Sequence, residues 1–355
     1  MKFVRRALIV LAVLAGGFML VLFNHEGLQD RVVRNAVNNT VASQPADTFG
    51  RDGIDVVFCG TASPMGGGDR AQQCIAVFAG SHFFIVDAGA RSASVAAALG
   101  LPLARLDGVM LTHFHSDHIA ALGELHLASW ARGRPSKLDV YGGPGVARIT
   151  GGFNTAYGQD YVYRTEHHGV DFMPPENAGL VTREIAMPQS GRAVIFEDDG
   201  LTVSAFTVSH DPVHPAYGIR FDYRGRSVVV SGDTSKDPNV ARVAKDSDVL
   251  IHEVLQPELV NMLADALAAN GAPKIGKILR DTLTYHTTPV EAAEIAVDAG
   301  AEMLVFTHFA PVPQNRLMKR YYLRGVEAVR PSGAVLAHDG MHIHVPFAGG
   351  APFVK

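Results

Sequence analysis

From residue 54 onward the chain alternates short apolar runs with glycine stops. "IDVVFCG" and "HFFIVDAG" predict strands, and "SASVAAALG" predicts a short helix ending at Gly100. "LDGVMLTH" reads as a buried strand, "IAALGELHLASWARG" as a helix with a glycine stop, and "KLDVYGGPG" as strand and turn. The second half repeats the rhythm: "LTVSAFTVSH", "YGIRFDYRG", "RSVVVSGDT" and "DVLIHEV" predict strands, and "PELVNMLADALAANG" an amphipathic helix. In "TPVEAAEIAVDAGA", Thr288 and Glu291 fit a capping box, Pro289 the first helical position and Gly300 the stop. "EMLVFTHF" and "AVLAHDGMHIHVP" close the chain as strands, and residues 151–191, rich in Gly, Pro and Tyr, read as irregular. This order predicts an α/β (α+β) sandwich, two β-rich halves with helices outside, rather than a doubly wound parallel sheet.

The first fifty residues differ in kind. Lys2, Arg5 and Arg6 precede an uncharged apolar run from Ala7 to Phe23. At ~1.5 Å per residue it reaches about 25 Å, marginal for a bilayer span and long for a signal-peptide core. Residues 1–24 are therefore expected as a signal anchor or signal peptide, 25–50 as a polar linker and 51–350 as the main domain. The basic end would stay cytoplasmic, leaving the main domain membrane-anchored or secreted, and periplasmic in a Gram-negative bacterium. Cys59 and Cys74 either pair in that oxidising compartment or remain two buried thiols. Hydrophobic residues at 47% and charged ones at 19% describe a globular chain, and the formal charge of −4 lacks the basic footprint of a nucleic-acid binder. On that ground no nucleic-acid partner is expected, although a local basic patch can hide inside a neutral total.

The strand before residue 111 feeds "LTHFHSDHIA", which crowds His113, His115, Asp117 and His118 into six positions. Alternate residues of an extended segment face one way, so His113 and His115 can serve one ion. Asp117 and His118, a short turn further on, can hold a second. His210, Asp233 and His308 also stand where strands end. Neutral imidazole and carboxylate suit zinc. Two ions about 3.5–4 Å apart would clamp a substrate oxygen and carry a bridging hydroxide as nucleophile.

"THFHSDH" resembles the H-x-H-x-D-H signature of the metallo-β-lactamase superfamily, and "SH", "SGDT" and "THFAP" follow in that superfamily's order. The resemblance runs from "GTASP" to "DGMHIHVP" and implies a four-layer αββα sandwich with two zinc ions. It gives His113, His115 and His210 to one ion, Asp117, His118 and His308 to the other, and Asp233 to both. An H-x-x-x-x-P-A-[YF]-G string selects His210 over His214. "IHEV" and "YHTTPVEAAEIA" narrow the resemblance to the ribonuclease Z and arylsulfatase-like branch. There Glu253 would orient His286, which would protonate the leaving oxygen; His286 could otherwise cap the helix beginning near Thr288.

The resemblance implies a binuclear hydrolase of small phosphate or sulfate esters, a phosphodiesterase or arylsulfatase, with lactonase or phosphotriesterase as the alternative. A tRNA 3′-processing endoribonuclease is the less favoured alternative. The tRNA-gripping arm of that branch stands between the "GYR"-like motif and "GDT", where "YGIR" here runs straight through "FDYRGRSVVV" into "SGDT". A di-iron redox protein is the non-hydrolase alternative, although His115 stands where such members substitute a carboxylate. Tyr161, Tyr163, His167 and His168 are candidates for a substrate wall, or for a homodimer contact. His126 and Trp130 read as packing, His252 as core or support for the ligands, and Asp339 as a turn residue. His342 and His344, with no evident acidic partner, read as exposed strand positions.

Overall fold

Inward-facing apolar residues alternate along the first strand, with Ile54, Val56 and Phe58 on one side and Val57 and Cys59 on the other. Both sets are buried, so the strand reads as one continuous apolar run. The structure is a computed structural model that describes residues 23–42, 48–65, 68–186 and 191–355. Within the unit Phe49–Lys355, strands β1 (Gly53–Gly60), β2 (Cys74–Ala79), β3 (His82–Val86), β4 (Gly108–Met110), β5 (Leu138–Gly142) and β6 (Leu180–Glu184) enter one sheet. A second sheet takes β7 (Ala193–Asp198), β8 (Leu201–His210), β9 (Val213–Tyr223), β10 (Arg226–Val230), β11 (Val249–Leu255), β12 (Met303–Ala310) and β13 (Ala334–Leu336). The chain then returns to the first sheet as β14 (His342–Pro346) and β15 (Phe353–Val354), giving the order β15-β14-β1-β2-β3-β4-β5-β6 against β13-β12-β11-β10-β9-β8-β7.

Between the sheets lies a core that includes Ile54, Val56, Val77, Phe84, Val203, Phe221, Val228 and Ile251. The helices Ser92–Ala98 and Leu122–Ala131 cover the outer face of the first sheet through Ala93, Ala96, Leu122 and Leu125. Pro238–Val243 and Pro289–Ala299 cover the second through Val240, Ala292 and Ala296. The expected sandwich is thus observed. Both sheets are mixed, parallel from β3 to β6 and from β10 to β13. The capping box at Thr288 and the left-handed Gly300 stop also match. Cys59 and Cys74, on paired strands, form a disulfide.

Several expectations give way. The polar stretch 25–50 is helical over Glu26–Ala42. Leu28, Val32 and Ala36 recur every fourth residue, as do Val33 and Val37, and Glu26 sits favourably in the first turn. The segment expected as irregular, 151–191, begins inside the helix Val146–His168; the helix's glycines and tyrosines weaken local helix propensity, and tertiary contacts supply the rest. Asn154 donates to the Leu180 carbonyl and accepts from the Leu180 N–H, docking this helix on β6. Among the described residues no helix is long and apolar enough to cross a membrane; the apolar run expected to span one lies outside them except for Phe23. "AVLAHDGMHIHVP" is two strands in different sheets, not one.

His342 and His344 do have an acidic partner. Fully buried Asp55 on β1 lies 2.6 Å from His342 Nε2 and 2.8 Å from His344 Nδ1. It also accepts from Lys355 Nζ at 2.9 Å and from the Gly50 N–H. Burial alone would raise this carboxyl's pKa, but His342, Gly50, His344 and Lys355 hold it well below the usual carboxylate range. A depressed folded pKa contributes stability above the unfolded value of about 3.9, lost as pH falls toward the folded value. Asp55→Asn should therefore cost about 3 kcal/mol at pH 7 in urea unfolding, and the gap to wild type should narrow below about pH 4. A gap independent of pH would contradict the charge-based account.

Candidate metal centre

Each candidate ligand is delivered by a strand end or the turn after it. His113 follows β4; His115 is extended, with φ −62° and ψ 150°, and precedes the single helical turn Ser116–Ile119 that carries Asp117 and His118. His210 ends β8, Asp233 follows β10, and His308 lies in β12 with a left-handed φ of 50°. Two glycines make this approach possible. A Cβ at Gly89 would collide with the Asp117 carbonyl, and one at Gly232, whose φ is +64°, with the Tyr217 carbonyl.

The side chains converge from both sheets. His113, His115 and His210 present ligand atoms within 4.8 Å of one another, as do Asp117, His118 and His308, and likewise His113, His118 and Asp233. Asp233 Oδ2 lies 3.3 Å from His118 Nε2, 3.5 Å from His308 Nε2, 3.9 Å from His113 Nε2 and 4.0 Å from His210 Nε2. The seven residues expected as ligands thus stand together. His214 is exposed and pairs with Asp211, away from the cluster.

The donor set fits metal ions. His113 Nε2 and His115 Nδ1 stand 2.9 Å apart, and two ring nitrogens so close need a proton or a cation between them. The buried Nε2 atoms of His118 and His210 have no hydrogen-bond partner, a costly state unless they bind something else. Their other nitrogens are engaged: His210 Nδ1 donates to the Tyr285 carbonyl at 3.0 Å, and His118 Nδ1 meets Asp87 Oδ2 at 2.8 Å. That fixes the tautomer with each Nε2 lone pair facing inward. Burial pushes the pKa values of His113, His115 and His210 down, keeping them neutral as ligands must be. For Asp117 and Asp233 burial works toward protonation, but the neighbouring His118 and His308 outweigh it and hold both well below the carboxylate range. For His118 burial opposes charge, yet Asp233, Asp87 and Asp117 raise its pKa, a field that draws in positive charge.

Beside this cluster, His286 Nδ1 lies 3.1 Å from Glu253 Oε1, which also accepts the N–H of Thr287 at 2.9 Å. Burial disfavours the charged imidazole, but the neighbouring Glu253 carboxylate raises it to about 9. The helix cap belongs to Thr288, which leaves His286 to Glu253. A cavity of about 240 Å³ is lined by His115, Asp117, Asp233, His286 and His308, with Met65 and Tyr285 among its other walls. Asp339 does more than shape a turn. It accepts from Thr61 Oγ1 at 2.7 Å and the Ala71 N–H at 2.6 Å, tying down both ends of the loop that carries Met65.

The substrate-wall candidates are not part of this cavity. Tyr161 packs edge-on against His126 and Trp130, both buried as expected. Exposed Tyr163, His167 and His168 lie on the helix Val146–His168, where the two histidine rings contact each other. Their aromatic and histidine content suggested a wall, but the helix carries them elsewhere. His252 is buried beside Glu253, as expected for a core position. Asp87 and the Tyr285 carbonyl are functional positions that the sequence reading missed. The "VDAG" stop after a buried strand is the one local signal for Asp87, whose φ of 61° and bonds to Thr112 fix its carboxylate under His118.

Asp87→Ala removes the anchor of His118 without touching a first ligand. Competition with a chromogenic chelator should show metal affinity falling about 10–100-fold, and unchanged affinity would refute the orienting role.

The family described as the metallo-beta-lactamase superfamily matches residues 67–308. The ribonuclease Z of Mycobacterium bovis (strain BCG / Pasteur 1173P2) is 33% identical over 292 residues, 81% of this chain and 97% of that one. The ribonuclease Z of Mycobacterium marinum is 33% identical over 261 residues, 73% of this chain and 87% of that one. In fold, the chain is similar to human tRNase Z, short form, with a TM-score of 0.56 and 21% identity, covering 82% of this chain and 99% of that one. It is also similar to the metallo-β-lactamase fold protein YhfI from Bacillus subtilis, with a TM-score of 0.57 and 19% identity, covering 82% of this chain and 100% of that one. The ribonuclease names overturn the expectation that nucleic acid has no part: net charge averages over the whole chain and is blind to a local surface. The chain belongs to the metallo-β-lactamase superfamily, as a metal-dependent hydrolase of ester bonds with ribonuclease Z proteins among its relatives.

Proposed function

We propose that the protein is a binuclear zinc phosphodiesterase that hydrolyses RNA. The observation that carries this is the closely spaced ligand set with a Glu253–His286 pair at its side, facing one cavity. The shared name of the relatives supports RNA as the ester. Nitrogen and carboxylate donors in this number suit zinc. His113, His115 and His210 would hold one ion and Asp117, His118 and His308 the other, with Asp233 between them. When bound, the pair supplies Lewis acidity toward a phosphoryl oxygen and lowers the pKa of water to give a nucleophile.

The chain's own residues do the rest. His286, held by Glu253, keeps a proton at the cavity wall and delivers it to the departing alkoxide, which is a poor leaving group without it. Glu253, fixed by the Thr287 N–H, keeps the imidazole aimed and compensates its charge. Met65 and Tyr285 wall the cavity beside these groups.

A second reading, a phosphodiesterase of small molecules, is favoured by one observation. Strands β9 and β10 are joined through Arg224 and Gly225 alone, with Tyr223 paired to Arg226, so no arm stands there to grip a large RNA.

Zinc-replete protein should cleave a 3′-extended RNA hairpin and bis-p-nitrophenyl phosphate. His286→Ala should slow RNA cleavage by about 10²–10⁴-fold and the p-nitrophenolate ester far less, because that leaving group needs no proton. Equal slowing of both would remove the proton-donor role. Turnover of the small ester with RNA left intact would favour the second reading.

A further inference from the structure

Between Glu302 and Glu327 the chain has no carboxylate and carries Arg316, Lys319, Arg320 and Arg324. The helix Arg316–Tyr322 turns Tyr322 inward. The Tyr322 ring packs edge-on against Phe309 with centroids 5.4 Å apart, and its hydroxyl donates to the Pro311 carbonyl at 2.6 Å. Phe309 directly follows His308, so this helix is fastened to the rim of the metal centre. Arg316, Lys319 and Arg320 face outward and are exposed, and among the described residues none of the three enters an ion pair. Both carboxylates on the neighbouring helix Pro257–Ala269 are already engaged, Glu258 by the Tyr321 hydroxyl and Arg324, and Asp265 by Arg280.

Like charges three and four positions apart destabilise a helix. A stripe of three cations with no counter-charge is relieved by a polyanion. Each cation is long enough to meet a different phosphate of one strand, and phosphate contacts position a nucleic acid without reading its sequence.

Resting on the RNA reading above, we propose that Arg316, Lys319 and Arg320 form a landing strip for the RNA phosphate backbone beside the scissile bond. The strip replaces the grip that the tight β9–β10 turn leaves out. It explains how a chain of net charge −4 can hold a polyanion: the positive field is local and adjacent to the site.

The test uses the full chain, zinc-replete, with a 3′-extended RNA hairpin as probe, following Kd and cleavage across a salt series. Arg316→Gln/Lys319→Gln/Arg320→Gln should raise Kd about tenfold, and the slope of log affinity against log salt should fall by about 2, at ~0.7 per phosphate of a single strand. Lys245→Gln, a control on another surface, should change neither. Were the triple variant to melt early, Arg320→Gln alone should weaken binding two- to threefold and lower the slope by about 0.7. Wild-type Kd and slope in the variants, with RNA still cleaved by the wild type, would overturn the strip and leave the RNA reading standing. A wild type that neither binds nor cleaves RNA yet hydrolyses bis-p-nitrophenyl phosphate would overturn both. Loss of binding to phosphatidylserine-containing vesicles, with RNA binding intact, would assign the stripe to a lipid surface and overturn the proposal.

Discussion

One carboxylate oxygen, Asp233 Oδ2, lies within 4.0 Å of four imidazole nitrogens, and the architecture of the site follows from that. The negative charge of that buried carboxylate must be balanced by protons on the rings or by bound cations, and the partnerless Nε2 atoms of His118 and His210 favour cations. The ligands come from both sheets: His113 and His118 from the turn after β4, His210 from β8, Asp233 from the loop after β10, and His308 from β12. A sandwich packed through a continuous apolar core holds those ends in register, which a set of loops on one sheet could not.

The surrounding residues set orientation more than composition. Asp87 and the Tyr285 carbonyl each take the outward nitrogen of a histidine and leave the inward one for a ligand. Gly89 and Gly232 allow the backbone to come close enough for those contacts. Asp87 and His308 both sit in left-handed backbone conformations, which cost of order 1–3 kcal/mol each for non-glycine residues. Such strain is tolerated where the packing around it is rigid.

The ligand set was legible because the chemistry is compressed into short strings. His113, His115, Asp117 and His118 span six positions, and Glu253 and His286 sit in motifs of their own. Asp87 was not legible, since a lone aspartate after a strand has many ordinary roles and its partner is 31 residues away. The Asp55–His342–His344 network failed for the same reason, joining positions nearly three hundred residues apart. The helix Val146–His168 was hidden by glycines that a local pattern reads as breakers, and its Tyr161 packs against Trp130 and does not line the cavity. Net charge failed as a filter against nucleic acid because it sums over the surface. The cations between Glu302 and Glu327 disappear in that sum.

The seven proposed ligands would form one centre for two ions, with Asp233 shared between them. The most direct test is native mass spectrometry of the zinc-loaded full chain beside Asp233→Ala. Two zinc ions in the wild type and at most one in the variant are the expected result. A wild type that binds a single ion, or a variant that keeps both, would contradict a shared binuclear centre.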